Sequence, residues 1–143
     1  MCWISEKKPI LKIAPRNIPV LKILEKRDGR LFSPVMHNAE WFLGMLALEN
    51  DFLPSEKYYS WWCDKYTIDE GFHSYRKRAL LASHYTVSLW KKIDEMQGID
   101  KTYVMCAAHI PKGAQYYMNE TEYVSNRLVV DKIISIVDID VSD

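Results

Sequence analysis

The segment 71–78 reads Gly-Phe-His-Ser-Tyr-Arg-Lys-Arg, and its last six residues all have polar or charged side chains. Ser74 is a favourable helix N-cap, and a helix that begins there would carry three cations in its first turn. Because a helix N-terminus is partially positive, these cations favour an anion bound by the free backbone N–H groups. A solvated basic face, partly balanced by Asp69 and Glu70, is the structural alternative. The candidate ligand-binding residues here are His73, Ser74, Tyr75, Arg76 and Arg78.

A second group of polar residues follows the turn sequence Ile-Pro-Lys-Gly at 110–113. The loop at 119–126 offers Asn, Ser and Tyr side chains, which can hold a sugar or a base without adding charge. The carboxylates of Glu120 and Glu122 are either an acid/base pair or part of an ordinary acidic surface turn. His73 is either a ligand-binding residue or a hydrogen-bonded structural one. The further candidate ligand-binding residues are Lys112, Tyr123, Ser125 and Asn126.

One principal helix is predicted to follow Ser74 and to position the basic residues. Apolar residues recur there at spacings of four, four, four and three, which places them on one helical face. Gly98 is a typical residue for the end of such a helix. The residues of the apolar face are Leu81, Tyr85, Leu89, Ile93 and Met96.

Strands are predicted on both sides of this helix. The apolar segment 39–48 favours a strand over a helix, because Gly44 in its middle would weaken a helix. The aromatic segment 51–67, which contains Pro54, predicts an irregular excursion packed by its rings. An Asp-Gly pair at 28–29 predicts a turn. The remaining predicted strands, rich in apolar or β-branched residues, are 18–24, 104–110, 127–130 and 132–141.

These elements predict an α+β fold for the whole chain, in a single domain spanning residues 1–143. The expected architecture is a twisted, mainly antiparallel sheet with one principal helix. At this length a hydrophobic core forms without the help of disulfides or metals.

Composition limits the partners and the compartment. The net charge is zero, from 19 basic and 19 acidic residues, which argues against nucleic acid or an anionic membrane as the main partner. The longest apolar runs are far too short to span a membrane, and the N-terminus does not resemble a signal peptide. The three cysteines form no CxxC pair and no cluster with zinc spacing, so reduced thiols in the cytoplasm are expected. No metal site or particular cofactor is predicted.

The motifs Gly-Phe-His-Ser at 71–74, Ile-Pro-Lys-Gly at 110–113 and Tyr-Val-Ser-Asn at 123–126 resemble a shared pattern. It is that of a group of small bacterial and phage proteins that begin Met-Cys and have no established activity. The Met-Cys start is also similar to that of class II glutamine amidotransferases, which would make Cys2 an N-terminal nucleophile. Trp3 stands where that family has Gly.

A more distant resemblance is to the ADP-ribosyltransferase fold. Residues 71–75, followed by Ala79 and Ala82, resemble the family's strand and alanine-rich helix, and residues 109–130 resemble its strand, Pro-Lys-Gly turn, loop and second strand. The resemblance implies that Lys22 is the nearest candidate for the residue that holds a nicotinamide dinucleotide. The position implied for the family's catalytic Glu is occupied by Asn126 and Arg127, so the acid is missing there.

The sequence therefore favours a non-catalytic binding or interaction module with a cleft for an anion or a nucleotide. Its partner would be a phosphate-bearing small molecule or a protein. An alternative is a diverged ADP-ribosyltransferase-like or other nucleotide-acting enzyme, in which Glu120 or Glu122 replaces the missing acid. A second alternative is a structural or phage-related accessory protein.

Overall fold

The fold was obtained as a computed structural model. It describes residues 3–5, 10–33, 39–48, 57–60, 63–68, 71–77, 88–89, 92–98 and 102–136. Thirteen strands account for most of this part of the chain. The first seven are β1 Trp3–Ser5, β2 Lys12–Ile13, β3 Ile18–Arg27, β4 Arg30–Phe32, β5 Glu40–Trp41, β6 Leu46–Leu48 and β7 Lys57–Ser60. The other six are β8 Cys63–Ile68, β9 Phe72–Tyr75, β10 Thr102–Ile110, β11 Gln115–Met118, β12 Glu122–Ser125 and β13 Arg127–Ile136.

The predicted α+β class with a principal helix is wrong. The structure is mostly antiparallel sheet, and the residues it describes include no helix of seven or more residues. Ser74 is not a helix N-cap, because it lies inside β9 with Tyr123 as its cross-strand partner. The pairing of β9 with its neighbours overrides the local capping preference of serine. The remote similarity to the ADP-ribosyltransferase fold stays a prediction, because most of the helix that it requires after residues 71–75 lies outside the described residues.

Little of the predicted helix falls within the described residues. Helical residues are found at 88–89 and 92–96, whereas Leu81 and Tyr85 lie outside the described part. Ile93 and Met96, two residues of the predicted apolar face, are exposed, and Asp94 between them is buried. No helix in the described ranges has the length and apolar character needed to cross a membrane.

Most strand predictions are confirmed, with three corrections. The segments 18–24 and 104–110 fall in β3 and β10, and the Asp-Gly turn joins β3 to β4. The segment predicted to be irregular instead contains β7 and β8, which pair with each other. The segment 39–48 forms two short strands, β5 and β6, rather than one. Residues 127–136 form one continuous strand, and residues 137–141 lie outside the described part.

The strands form two sheets, of which the larger positions the candidate residues. The smaller sheet has the order β1-β8-β7. The larger has ten strands, with the path β2-β11-β12-β9-β3-β10-β13-β6, and β4 and β5 branch from β3. Its centre is the antiparallel pair β3 and β10, whose register is unbroken from Thr102 opposite Lys26 to Ile110 opposite Ile18. Both strands are rich in apolar residues, as expected of a buried pair.

A long bent hairpin makes the larger sheet curl. The chain runs from β10 through a turn at 111–114 into β11, and it returns from β12 into β13 across the single residue Asn126. Gly113 has a φ of 87° in the first of these corners, a conformation that suits glycine. Strand β10, at one end of the hairpin, pairs with β3, and strand β12, at the other end, pairs with β9. Strands β3 and β9 in turn pair with each other at Leu21 and Tyr75. The sheet therefore folds back on itself around one of its faces.

Each face of the curled sheet has its own core. The interior cluster takes residues from β3, β10, β11 and β13, together with Leu31 and Trp41 from the β4–β5 branch. The outer cluster is smaller and contains Leu21, Ile23, Tyr75, Tyr103 and Met105. On the outer side the hydroxyl of Tyr103 donates to a carboxylate oxygen of Asp94 at 2.5 Å, which ties the helical residues 92–96 to β10.

A fork in the sheet opens along one edge of β3. Strand β10 occupies the other edge of β3 from end to end. The remaining edge pairs with β9 at Leu21 and with β4 from Glu25 onwards. Residues 22–24 lie between these two partners, where β9 and β4 diverge. The rings of Trp41 and Phe72 cross this gap in an edge-to-face contact, with centroids 5.3 Å apart.

Candidate functional site

Lys22 lies at the fork and points to the interior of the curled sheet. Val20 and Leu24 belong to the interior cluster, and side chains two residues apart in a strand share a face. The ammonium group of Lys22 donates a hydrogen bond to the backbone carbonyl of His73. It also lies 5.3 Å from the ring centroid of Trp41, within cation–π range. Lys22 thus bridges β3, β9 and β5 at the point where their pairing is incomplete.

Burial makes this ammonium group unusual. The desolvation of Lys22 lowers its pKa to about 8, and the nearby groups of Cys106 and Glu122 oppose this shift only in part. The residue as a whole is partly exposed, whereas its ammonium end is enclosed. In the part of the chain that the structure describes, no carboxylate forms an ion pair with Lys22. Since an ammonium group has three donors, Lys22 has hydrogen-bonding capacity left for a ligand.

Ser74 is the second polar group on this interior face. Leu21 and Tyr75 are cross-strand partners, so Lys22 and Ser74 occupy the next positions of the same antiparallel pair. Ser74 is only 1% exposed, and its hydroxyl has no hydrogen-bond partner. A buried hydroxyl without a partner is costly, and such groups are uncommon in folded proteins. An oxygen atom of a ligand placed between Ser74 and Lys22 could bond to both.

Arg76 supplies a second cation beyond Ser74. Its backbone N–H donates to the carbonyl of Thr121 at 2.8 Å, which continues the β9–β12 pairing by one residue. The guanidinium group donates to the carbonyl of Asn119 at 3.0 Å and lies 6.0 Å from the ring centroid of Tyr123. Tyr123 is the cross-strand partner of Ser74. Lys22 and Arg76 therefore flank the Ser74–Tyr123 pair from two sides.

Cys106 lies directly across from Lys22 in β10. Its thiol is free and fully buried, and desolvation raises its pKa to about 11. At neutral pH it is consequently a protonated thiol rather than a nucleophilic thiolate. Among the described residues, no group of three or more His, Cys, Asp or Glu side chains is arranged as a set of metal ligands.

Of the two acids considered from the sequence, Glu120 and Glu122, Glu122 lies nearer to Ser74 along the strand pairing. It pairs with Tyr75, next to the Ser74–Tyr123 pair, whereas Glu120 is in the exposed loop before β12. Burial raises the pKa of Glu122, and the charge of Lys22 opposes the rise. Since Glu122 is adjacent to Tyr123 in an extended strand, its side chain points to the opposite face of the sheet from Ser74.

Several predicted site residues have structural contacts instead. The hydroxyl of Ser125 donates to the carbonyl of Arg127 at 2.9 Å. The side-chain oxygen of Asn126 accepts from the backbone N–H of Gln115 at 2.8 Å, which holds the hairpin corner. Lys112 lies exposed in the other corner, where its backbone N–H donates to the side chain of Asn17. Arg78 lies outside the described residues.

The structure thus brings together Lys22, Ser74, Arg76 and Tyr123, with the carbonyl of His73. The side chains of His73 and Tyr75 alternate to the other face. Sequence reasoning missed two neighbours of this group, Trp41 and Cys106. Both stand in apolar segments without any motif, and only the strand register places them beside Lys22.

Comparison with known protein families, curated proteins and solved structures finds no match for this chain. The resemblance to small bacterial and phage proteins therefore stays a prediction.

Proposed function

We propose that the protein is a non-catalytic binding module that holds an anionic group of a small molecule. The site is the interior face at the fork, where the ammonium group of Lys22 and the hydroxyl of Ser74 would both donate to the anion. Arg76 adds positive charge at the far side of Ser74. Phosphate-bearing molecules and nucleotides are the ligands of matching charge and size.

One observation carries this proposal. The ammonium group of Lys22 is desolvated and has no carboxylate partner in the described ranges, while the hydroxyl beside it has no hydrogen-bond partner. Unpaired charge inside a protein is costly, and strongly perturbed lysines are found preferentially at functional sites. In the free protein, the bond to the carbonyl of His73 and the ring of Trp41 compensate this cost only partly. A bound anion would supply the missing charge.

The experiment is an NMR titration of the protein with phosphate, sulfate and NAD, each followed at the backbone amides of β3 and β9. We expect shifts centred on Lys22, Ser74 and Arg76. Lys22→Met should abolish them, because it keeps an apolar stem and removes the charge. Lys26→Met is the matched control, since Lys26 is an exposed lysine in the same strand. If none of the three ligands moves these amides in the unaltered protein, the proposal is wrong.

An enzyme acting on a nucleotide is the second candidate. The observation that favours it is Glu122, a partly buried acid whose pKa is raised and which lies within electrostatic range of Lys22. Buried acids whose pKa is raised can serve as general acids or bases. The direct check is incubation of NAD with the purified protein and with Glu122→Gln. Turnover that disappears in the variant would favour the enzyme, and its absence in both leaves the binding module.

We also propose the cytoplasm as the compartment. The buried thiol of Cys106 is free, as is usual for proteins kept under reducing conditions. The zero net charge supports a small molecule or a protein as the partner rather than nucleic acid. Cysteine labelling of protein extracted under denaturing, thiol-blocking conditions should find Cys106 reduced.

A further inference from the structure

The surroundings of Lys22 are those in which a lysine amine can act as a nucleophile. An ordinary surface lysine is fully hydrated and stays protonated at neutral pH, so its amine is a poor nucleophile. The end of the Lys22 side chain is enclosed between the ring of Trp41 and strand β9, at the fork where β9 and β4 diverge, and the residue as a whole is partly exposed. Lysines desolvated in apolar surroundings are those that form Schiff bases with carbonyl compounds.

Building on the proposed anion site, we propose that Lys22 forms a reversible imine with the carbonyl carbon of a small 2-oxo carboxylate. Ser74 and Arg76 would hold the carboxylate of this ligand, and the carbonyl group next to it would face the amine. The inference rests on the anion site because the carboxylate is what selects this class of carbonyl compound over neutral aldehydes.

The reaction is a condensation without any change in oxidation state. The lone pair of the neutral Lys22 amine adds to the carbonyl carbon, so that a C–N bond forms and the C=O π bond breaks. The carbonyl oxygen takes up a proton to give a carbinolamine. The hydroxyl group then leaves as water, with the two hydrogens supplied by the amine, and a C=N bond remains. One amine and one carbonyl compound therefore give one imine and one water.

Burial favours this chemistry at a moderate pH. Desolvation disfavours the charged ammonium, and the pKa of about 8 leaves roughly a tenth of the Lys22 amine neutral at pH 7. For an ordinary lysine the neutral fraction is roughly two hundred times smaller. Condensation also converts the enclosed cation into an imine whose pKa is lower than that of the amine, which removes part of the cost of burying charge. The thiol of Cys106, protonated at this pH, does not compete as a thiolate.

The test uses the unaltered protein, with glyoxylate as the probe. Glyoxylate is the simplest 2-oxo carboxylate, and sodium cyanoborohydride at about pH 7 traps its imine as a stable carboxymethyl-lysine. Mass spectrometry of the peptides then measures the labelling rate at each lysine. Lys26, exposed in the same strand, is the internal reference. We expect Lys22 to be labelled at least about tenfold faster than Lys26, because slower access offsets part of the gain in neutral amine.

A parallel reaction with acetaldehyde, which is neutral and of similar size, separates the two proposals. If glyoxylate labels Lys22 selectively and acetaldehyde does so much more slowly, both the imine and the anion site are supported. If both aldehydes label Lys22 equally and selectively, Lys22 is confirmed as the imine-forming amine, but the anion site and the selectivity for 2-oxo carboxylates are overturned. If glyoxylate labels Lys22 no faster than Lys26, the imine is overturned, whatever the NMR titration with phosphate finds.

Lys22→Arg provides a check that the label depends on this amine. The variant keeps a cation at the fork but has no group able to condense with a carbonyl. We expect its labelling at Lys26 to match that of the unaltered protein. A selective adduct elsewhere in the variant would place the reactive amine at another residue and contradict the assignment to Lys22.

Discussion

Burial destabilises the charged form of Lys22, and this has a measurable consequence for the free energy of unfolding. Its pKa is about 8 in the folded protein against an ordinary 10.5. Between these values the unfolded chain binds more protons than the folded one, so the free energy of unfolding rises with pH. The penalty from Lys22 is fully present below about pH 8 and is relieved above it.

We therefore expect the unaltered protein to gain stability relative to Lys22→Met as the pH rises from about 7 to about 9. The difference approaches an upper limit of about 1.4 kcal/mol per pH unit above the folded pKa, and it is smaller where solvent screens the charge. Urea unfolding of both proteins measures it. The buried thiol of Cys106 acts in the opposite direction above its ordinary pKa, but it does so in both proteins and therefore largely cancels in the difference. Parallel curves for the two proteins would show that Lys22 is not desolvated.

Two buried serines, one with and one without a hydrogen-bond partner, give a matched test of the unpartnered hydroxyl of Ser74. Ser74 and Ser125 are 1% and 0% exposed, but only the hydroxyl of Ser125 has an acceptor, the carbonyl of Arg127. Ser125→Ala should lower the free energy of unfolding by about 1 kcal/mol, whereas Ser74→Ala should leave it unchanged or raise it by up to about 1 kcal/mol. Ser74→Ala should also weaken anion binding by roughly tenfold. Equal losses of stability in both variants would contradict a free hydroxyl at Ser74.

At the scale of elements, the β11–β12 hairpin positions the second cation. The side-chain oxygen of Asn119 accepts from the backbone N–H groups of Thr121 and Glu122, at 2.9 and 2.7 Å, and its backbone carbonyl accepts from Arg76. Asn119→Ala should cost about 1 kcal/mol of stability, as the loss of such a turn contact does. It should also weaken anion binding, because the turn no longer fixes the position of the backbone carbonyl that accepts from Arg76.

Asn119→Asp is the control for this hairpin, since it keeps the accepting oxygen. We expect it to retain more stability and more binding than Asn119→Ala, as measured by thermal unfolding and by the same NMR titration. If the alanine variant binds phosphate as the unaltered protein does, Arg76 does not contribute to the site.

The sequence predicts some of these elements well and others not at all. Apolar and β-branched runs identify β3 and β10, because a central buried strand must be apolar whatever its neighbours are. The N-cap prediction at Ser74 fails because the same four residues also suit a strand, and only distant partners decide between the two. The fork is beyond sequence reasoning, since it depends on the register of three strands around residues 22–24. Residue type alone identified three of the site residues, Ser74, Arg76 and Tyr123. Lys22 was identified only through a resemblance, and Trp41 was not identified from the sequence.

At the scale of the whole molecule, the two faces of the curled sheet have separate roles. The interior face contains Lys22 and Ser74, while the outer face holds the helical residues 92–96 through the Tyr103–Asp94 hydrogen bond. Burial and the carboxylate of Asp94 raise the pKa of Tyr103, so its hydroxyl stays a donor at any ordinary pH. The outer contact should therefore affect stability but not ligand binding.

Tyr103→Phe tests this separation. The variant should lose about 1–3 kcal/mol of stability, because it leaves the buried carboxylate of Asp94 without that donor. Hydrogen exchange should become faster at residues 92–98 and stay slow in the centre of β3. Phosphate titration should give the same response at Lys22 as in the unaltered protein. A lost response at Lys22 would show that the two faces are coupled.

The central claim is that Lys22 is a desolvated cation that an anion can reach, and its own titration tests this most directly. The pKa of its amine can be measured by carbon NMR of the labelled ε-methylene group, without and with phosphate. The structure predicts a pKa of about 8 in the free protein. Because an anion binds the protonated form, phosphate should raise this pKa towards its ordinary value. A pKa near 10.5 that phosphate does not change would contradict both the site and the function proposed for it.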